Sequence, residues 1–112
     1  MQAEDRIRLQ HMIEATHVAQ DFISGRVQAD LSQDKMLLFA VVRAIEIIGE
    51  AAARVSPELR AAMPNIPWAA IIGMRNRLVH AYFSIDAEIV WNTVNTELPL
   101  LRPALQAAVD SH

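Results

Sequence analysis

The run from Lys35 to Val55 is the segment that most constrains the fold. Its apolar residues return every three or four positions, the period of a helix with one buried face: Leu38, Val41, Val42, Ile45, Ile48 and Ala52. Asp30, Ser32 and Asp34 precede the run and supply N-cap and first-turn acids. The pattern therefore predicts one long helix.

Three further helices follow from the same kind of evidence. Residues Glu4 to Ser24 show near-helical spacing of apolar residues, and Gly25 directly after them is a natural helix stop. A third helix is predicted from about Pro67 to His80 or Ala81. Asp86 can cap a fourth helix, which carries Ile89, Val90, Val94, Leu98 and Leu101 and is kinked or restarted at Pro99 and Pro103.

A short extra helix is predicted before the third one, because Ser56 and Pro57 read as a cap and a first-turn proline. No segment shows sustained period-two alternation, and no Asn-Gly or Asp-Gly turn occurs. We therefore predict an all-α fold, an antiparallel bundle of four main helices, with residues 1–112 as one domain. Gly49 and Gly73 lie inside predicted helices, and close approach of another helix backbone is the favoured explanation for both.

Composition excludes several classes of protein. With no cysteine, the chain can form no disulfide, thiolate nucleophile or thiolate metal site. Its apolar runs are shorter than the roughly 20 residues that span a bilayer, and the acidic start of the chain is unlike a secretory signal, so a cytoplasmic location is expected. The net charge of −3 argues against a surface that binds nucleic acid as a whole but permits a local basic site.

The densest polar cluster spans Arg75 to Tyr82 and includes Asn76, Arg77 and His80. On a straight helix Asn76 and Arg77 neighbour His80, whereas Arg75 and Tyr82 share a different face. For Arg75 and His80 to act on one phosphate, the helix must unwind near His80, the arginine must reach around it, or a second copy of the chain must contribute.

This set of side chains suits phosphodiester cleavage in RNA. Histidine, whose ordinary pKa is about 6.5, can take a proton from a ribose 2′-hydroxyl or give one to a leaving oxygen without a metal. Arginine supplies fixed donors to the charge that builds on the phosphate oxygens. The alternative is a solvated, arginine-rich helix end whose histidine complements the helix dipole.

Four segments in order resemble the HepT-like toxins among the HEPN-domain ribonucleases. The segment from Arg75 to Tyr82 resembles their Arg-x4-His-x-Tyr motif. The other three similar segments are Arg43 to Ala52, Ile66 to His80, and Ile89 to Val94 followed by Leu98 and Pro99. The resemblance implies an all-α HEPN-like bundle, a homodimer with facing catalytic motifs, and metal-independent RNA cleavage that needs no cofactor.

Individual roles follow from the same resemblance. Arg75 and His80 match the catalytic pair, Asn76 matches the polar residue that follows the arginine, and Arg77 is a supporting candidate. Tyr82 matches the tyrosine to which an MNT-type nucleotidyltransferase antitoxin adds AMP. An alternative is a non-catalytic binding or accessory subunit of a small nucleotidyltransferase.

Other candidates have less specific patterns. Glu46 and Glu50 are flanked by Arg43 and Arg54 at helical spacing, which predicts a surface ladder of ion pairs. The alternative is that Arg43 or Glu46 contacts the motif helix and orients its functional side chains.

Two further pairs of residues have ordinary interpretations. His11 and His17 are six residues apart, a poor spacing for a shared metal, and Trp68 and Trp91 are expected to be core or interface anchors.

Overall fold

Two long antiparallel helices, α1 (Ala3–Ile23) and α3 (Lys35–Ala53), form the centre of the fold in this computed structural model. The structure describes residues 1–81 and 84–111, and for residues 79–81 it describes the backbone alone. The remaining elements are α2 (Gln28–Gln33), α4 (Pro57–Ala62), α5 (Trp68–Ile72), α6 (Met74–Leu78), β1 (Val79–Ala81), β2 (Ser84–Ile85), α7 (Ala87–Asn92), a π turn (Thr93–Glu97) and α8 (Leu98–Asp110).

The predicted helix boundaries are confirmed where capping chemistry defines them. Gly25 follows α1 at φ 75°, a left-handed conformation that glycine adopts without strain. The Asp34 carboxylate accepts a hydrogen bond from the Leu37 amide at the start of α3, at 3.1 Å. The Ser56 hydroxyl accepts from the Leu59 amide at the start of α4, and Asp86 caps α7 in the same way. The predicted short extra helix is α4.

The prediction about the chain before α3 is wrong in one respect. Asp30 does not belong to the start of the long helix, because its carboxylate accepts from the Val27 amide at 2.8 Å and begins the separate helix α2. Leu31 gives α2 a buried contact with the core. A short helix of this kind lacks a long periodic pattern and was absent from the predicted set.

The predicted third helix is also wrong in its extent. It breaks at Gly73 into α5 and α6, and it ends at Leu78 rather than at His80 or Ala81. Glycine has a low helix propensity, and the β-branched and aromatic residues after Leu78 favour an extended chain. That chain forms an antiparallel hairpin, in which Val79 pairs with Ile85 and Ala81 with Ser84.

The last helical region confirms the predicted restart at Pro99, whereas no restart occurs at Pro103. Between α7 and α8 the chain widens into the π turn, directly before Pro99 at the start of α8. Proline has no amide hydrogen and its ring crowds the carbonyl four residues earlier, so a widened turn relieves the contact. Pro103 is accommodated inside α8.

One apolar core joins these elements. A buried carboxylate links the start of α1 to the chain after α3. Asp5 accepts hydrogen bonds from the Ser56 backbone amide at 2.8 Å and from the Ser56 hydroxyl at 2.6 Å. The largest fully buried side chains come from α1, α2, α3, α6, α7, α8 and the links around α4: Leu9, Met12, Leu31, Val41, Ile45, Ile48, Val55, Ile66, Leu78, Val90, Leu98 and Leu105. No helix in the described residues is both long and apolar enough to cross a membrane.

Candidate active site

The candidate site lies where α5 and α6 cross α3, and Gly49 sets how closely they approach. A Cβ atom built on Gly49 would lie 3.2 Å from the Ile71 carbonyl oxygen and 3.5 Å from that of Ile72. The close approach predicted at this glycine is therefore confirmed. For Gly73 it is wrong, because among the described residues a Cβ there would meet the Ala69 oxygen of its own turn.

This close approach places a carboxylate of α3 against an arginine of α6. Arg75 Nε donates to Glu46 Oε2 at 2.8 Å, across 29 positions of the sequence. The Glu46 side chain is 24% exposed, whereas the Arg75 side chain is 58% exposed. The pair is thus anchored on the α3 side and open to solvent on the arginine side.

A small pocket of about 200 Å³ adjoins the pair. Glu46, Glu50 and Arg75 supply its charged groups, and its apolar surface comes from Ile45, Gly49, Ala53 and Ile72. An arginine at the mouth of a partly apolar pocket can donate to an anionic group with less competition from water than on an open surface.

The predicted ladder of ion pairs on α3 is only partly observed. Arg43 Nη1 pairs with Glu50 Oε1 at 3.1 Å, two turns along the helix, and these side chains are 58% and 60% exposed. Glu46 pairs with Arg75 on α6 and with no residue of its own helix among the described ion pairs. No pair joins Arg54 to Glu50 among the ion pairs of residues 1–81 and 84–111.

The two supporting candidates lie on the exposed side of α6. Asn76 is exposed, and its backbone amide donates to the Gly73 carbonyl at 3.1 Å where the helix restarts. Arg77 Nη1 lies 3.6 Å from Glu97 Oε1 in the π turn, with both side chains about half exposed. Sequence periodicity did not indicate Glu97, because it lies in a different helical region.

His80 lies on β1, two residues after α6 ends, so the helix unwinds between Arg75 and His80. Hairpin pairing is irregular between Val79 and Ala81, which is the position of His80. Bulges of this kind change the direction of a strand and are frequent beside active sites. The predicted role of the His80 side chain, and Tyr82 altogether, lie outside the described residues.

The remaining predicted residues take ordinary positions. His11 and His17 are both exposed on α1, as expected. Trp68 is buried in the core and its indole nitrogen donates to the Met63 carbonyl at 3.1 Å. Trp91 is partly buried against the core. Both tryptophans therefore serve as packing anchors.

The fold and the site together define a class: an all-α protein with an arginine held at a pocket and a histidine on the chain that follows. Comparison with family models matches residues 12–108 to the description "Ribonuclease HepT-like". The chain belongs to the ribonuclease HepT-like family, and the matched range contains both Arg75 and His80.

Individual relatives agree with this membership. The chain is 37% identical over 94 residues to a protein of Thermococcus cleftensis described as "Probable ribonuclease HepT", covering 84% of this chain and 86% of that protein. It is 33% identical over 98 residues to a candidate RNase of Methanocaldococcus jannaschii, covering 88% and 90%. A candidate RNase of Caldanaerobacter subterraneus is 36% identical over 93 residues, covering 83% of each chain. Comparison with solved structures finds no match.

Proposed function

We propose that this chain cleaves RNA through Arg75 and His80 and acts as the toxin of a toxin–antitoxin pair. The observation that carries the proposal is the Arg75 guanidinium, bound through Nε to Glu46 at 2.8 Å and more than half exposed beside a pocket. Membership of a ribonuclease family supports RNA as the substrate.

The chemistry needs two complementary roles. His80 takes the proton of a ribose 2′-hydroxyl, whose oxygen then attacks the neighbouring phosphorus, or gives a proton to the departing 5′-oxygen. Arg75 donates to the phosphate oxygens as negative charge builds on them. The products of such a reaction are a 2′,3′-cyclic phosphate and a 5′-hydroxyl, and no step uses a metal.

Cleavage of purified RNA in the presence of EDTA tests this proposal. We expect wild-type protein to cut, and His80→Ala to lose about 10²- to 10⁴-fold in rate, the usual contribution of a general acid or base. Cleavage that is equal in wild type and His80→Ala would contradict the proposal. So would an absence of cleavage with any RNA, which favours the accessory-subunit alternative.

We also propose that the chain acts as a homodimer. Unwinding after Leu78 removes the strict need for a second copy, so support for the dimer comes from the exposed surface beside the site. Phe39 is exposed and lies seven residues before Glu46, on the same face of α3, and Met36 one turn earlier is exposed as well. A second copy packed there would bury both side chains and place two candidate sites side by side.

The mass of the protein in solution tests the dimer. Phe39→Glu should convert a dimer into a monomer with reduced cleavage. Leu100→Glu, on the exposed part of α8, is a matched control that should remain dimeric. A wild-type monomer that cleaves RNA would contradict the proposed dimer, as would a Phe39→Glu protein that remains dimeric.

The antitoxin is proposed to be an MNT-type nucleotidyltransferase that modifies Tyr82. The phenol oxygen would attack the α-phosphorus of ATP, forming a tyrosyl–AMP bond and releasing pyrophosphate. The added anion would compete with the RNA phosphate for Arg75. Cytoplasmic location is part of the same proposal, because ATP and the cellular RNA pool are there.

Intact-mass measurement after incubation with the antitoxin and ATP tests this modification. We expect additions of AMP on the wild type and none on Tyr82→Phe. Retention of every addition in Tyr82→Phe would place the modification on another residue.

A further inference from the structure

The Glu46 carboxylate is an unusual neighbour for an arginine that is to bind phosphate, because it brings negative charge to the same place. Its position nevertheless differs from that of a surface ion-pair partner. Glu46 is mostly buried at the side chain and lies on a different element from Arg75. It also lies one turn before Gly49, where α3 closely approaches the end of α5, the helix that leads into α6. The contact is therefore built by the packing of α3 against α5 and α6.

We propose that Glu46 is a positioning residue that holds the Arg75 guanidinium for the phosphodiester. This inference rests on the proposed function. A guanidinium has three nitrogens in one plane, and Glu46 engages Nε alone. Among the hydrogen bonds of residues 1–81 and 84–111, the two terminal nitrogens of Arg75 have no protein acceptor. They form the edge that binds two phosphate oxygens at once.

The benefit of holding the arginine is geometric. A free arginine side chain samples many rotamers, and fixing it in one of them loses conformational entropy. The hydrogen bond from Nε to Glu46 restricts the side chain in the folded protein before RNA binds, so less entropy is lost on binding. The negative charge of Glu46, however, weakens the positive field of Arg75 at the phosphate. Glu46 serves catalysis only if the geometric gain exceeds this electrostatic loss, which makes the direction of the Glu46→Ala effect decisive.

Substitutions at Glu46 separate these effects. We expect Glu46→Ala to lower the maximal cleavage rate by roughly 10- to 100-fold, the range for a misplaced catalytic group, with a smaller change in the RNA concentration at half-maximal rate. Glu46→Gln keeps an acceptor oxygen for Nε and should recover part of the rate. Glu14→Gln is the control, because Glu14 is an exposed glutamate on α1 outside the set of residues that line the pocket beside Arg75. The rate of this variant should equal that of the wild type.

A double-mutant cycle distinguishes positioning from a general structural role. If Glu46 acts through Arg75, adding Glu46→Ala to an Arg75→Ala protein should cause no further loss of rate. An equal loss in both backgrounds would overturn the inference. A Glu46→Ala rate at or above that of the wild type would also overturn it, because the carboxylate would then only weaken the arginine's field.

A spectroscopic measurement tests the contact without reference to activity. The Arg75 Nε–H signal, assigned by its absence in Arg75→Ala, should exchange with water more slowly than that of Arg43, whose described bond uses a terminal nitrogen. The slow exchange should disappear in Glu46→Ala. Equal exchange at Arg75 and Arg43 would overturn the inference. If wild-type protein cleaves no RNA, the proposed function fails, and slow exchange at Arg75 still establishes that Glu46 holds it.

Discussion

Two glutamates one turn apart on α3 have the same chemistry but different surroundings. Glu50 pairs with Arg43 on its own helix, and both side chains are more than half exposed. Glu46 pairs with Arg75 on α6 and is mostly buried. The difference teaches that tertiary packing can join one glutamate to an arginine of another helix, while its neighbour, which lines the same pocket, keeps an exposed partner on its own helix.

The largest expected effect compares the two arginines of these pairs. Arg75→Ala should lower the RNA cleavage rate by about 10²- to 10³-fold, as does the loss of one donor to a developing oxyanion. Arg43→Ala should leave the rate within about twofold, because the expected worth of its exposed pair is small. Initial rates on one labelled RNA measure both. Equal losses in the two variants would remove the distinction between the two pairs.

A buried carboxylate outside the candidate site provides a contrast to Glu46. Asp5 is buried and accepts two hydrogen bonds from Ser56, far along the chain from the site residues. Asp5→Asn should lower the free energy of unfolding by about 1–3 kcal/mol, because asparagine has one side-chain oxygen and leaves one of the two Ser56 donors without an acceptor. Urea denaturation measures this loss, and the cleavage rate per folded molecule should be unchanged. A reduced rate without lost stability would contradict this division of roles.

The next effect concerns the glycine that brings Glu46 to Arg75. Gly49→Ala should lower the free energy of unfolding by about 1–2 kcal/mol, since overpacking against the Ile71 carbonyl of another helix exceeds the gain in helix propensity. It should also lower the cleavage rate by shifting α5 and, with it, the adjoining helix α6 that carries Arg75.

Gly73→Ala is the control for this prediction, because its Cβ would press on its own turn and on no other described residue. Its loss of stability should be under about 1 kcal/mol, as helix propensity offsets a contact that one turn can relax. Urea denaturation of both variants checks the order. Gly49→Ala that is as stable and active as wild type would show that the close approach is not required.

The smallest effect is expected at the exposed pair itself. Glu50→Gln should change the free energy of unfolding by less than about 0.5 kcal/mol, because exposed ion pairs are screened by water and salt. The same denaturation experiment at low and high salt measures it. A loss above 1 kcal/mol that persists in high salt would mean that Glu50 also carries a packing role.

Periodicity and capping residues predicted most of the scaffold. The apolar stripe of α3, the Gly25 stop, the Ser56 cap and the proline effect before α8 all follow from local physical chemistry. Such features depend on residues close together in sequence, so one chain reveals them without its folded context.

The site depended on contacts that no local pattern contains. The Glu46–Arg75 bond joins positions 29 apart, and the spacing on α3 equally favoured a pair within that helix. The hairpin after Leu78 was missed because helical spacing was extended through a short β-branched and aromatic segment. Arg75 and His80 are the candidate catalytic pair because of the family resemblance and the polar cluster in the sequence. Their joint action stays a prediction.

The most direct test of RNA cleavage by Arg75 and His80 is end-mapped cleavage in EDTA, with wild type compared with Arg75→Ala and His80→Ala. We expect wild-type cuts that carry 2′,3′-cyclic phosphate ends, and losses of at least about 100-fold in both variants. Cuts at the same positions and rates in all three proteins would contradict it.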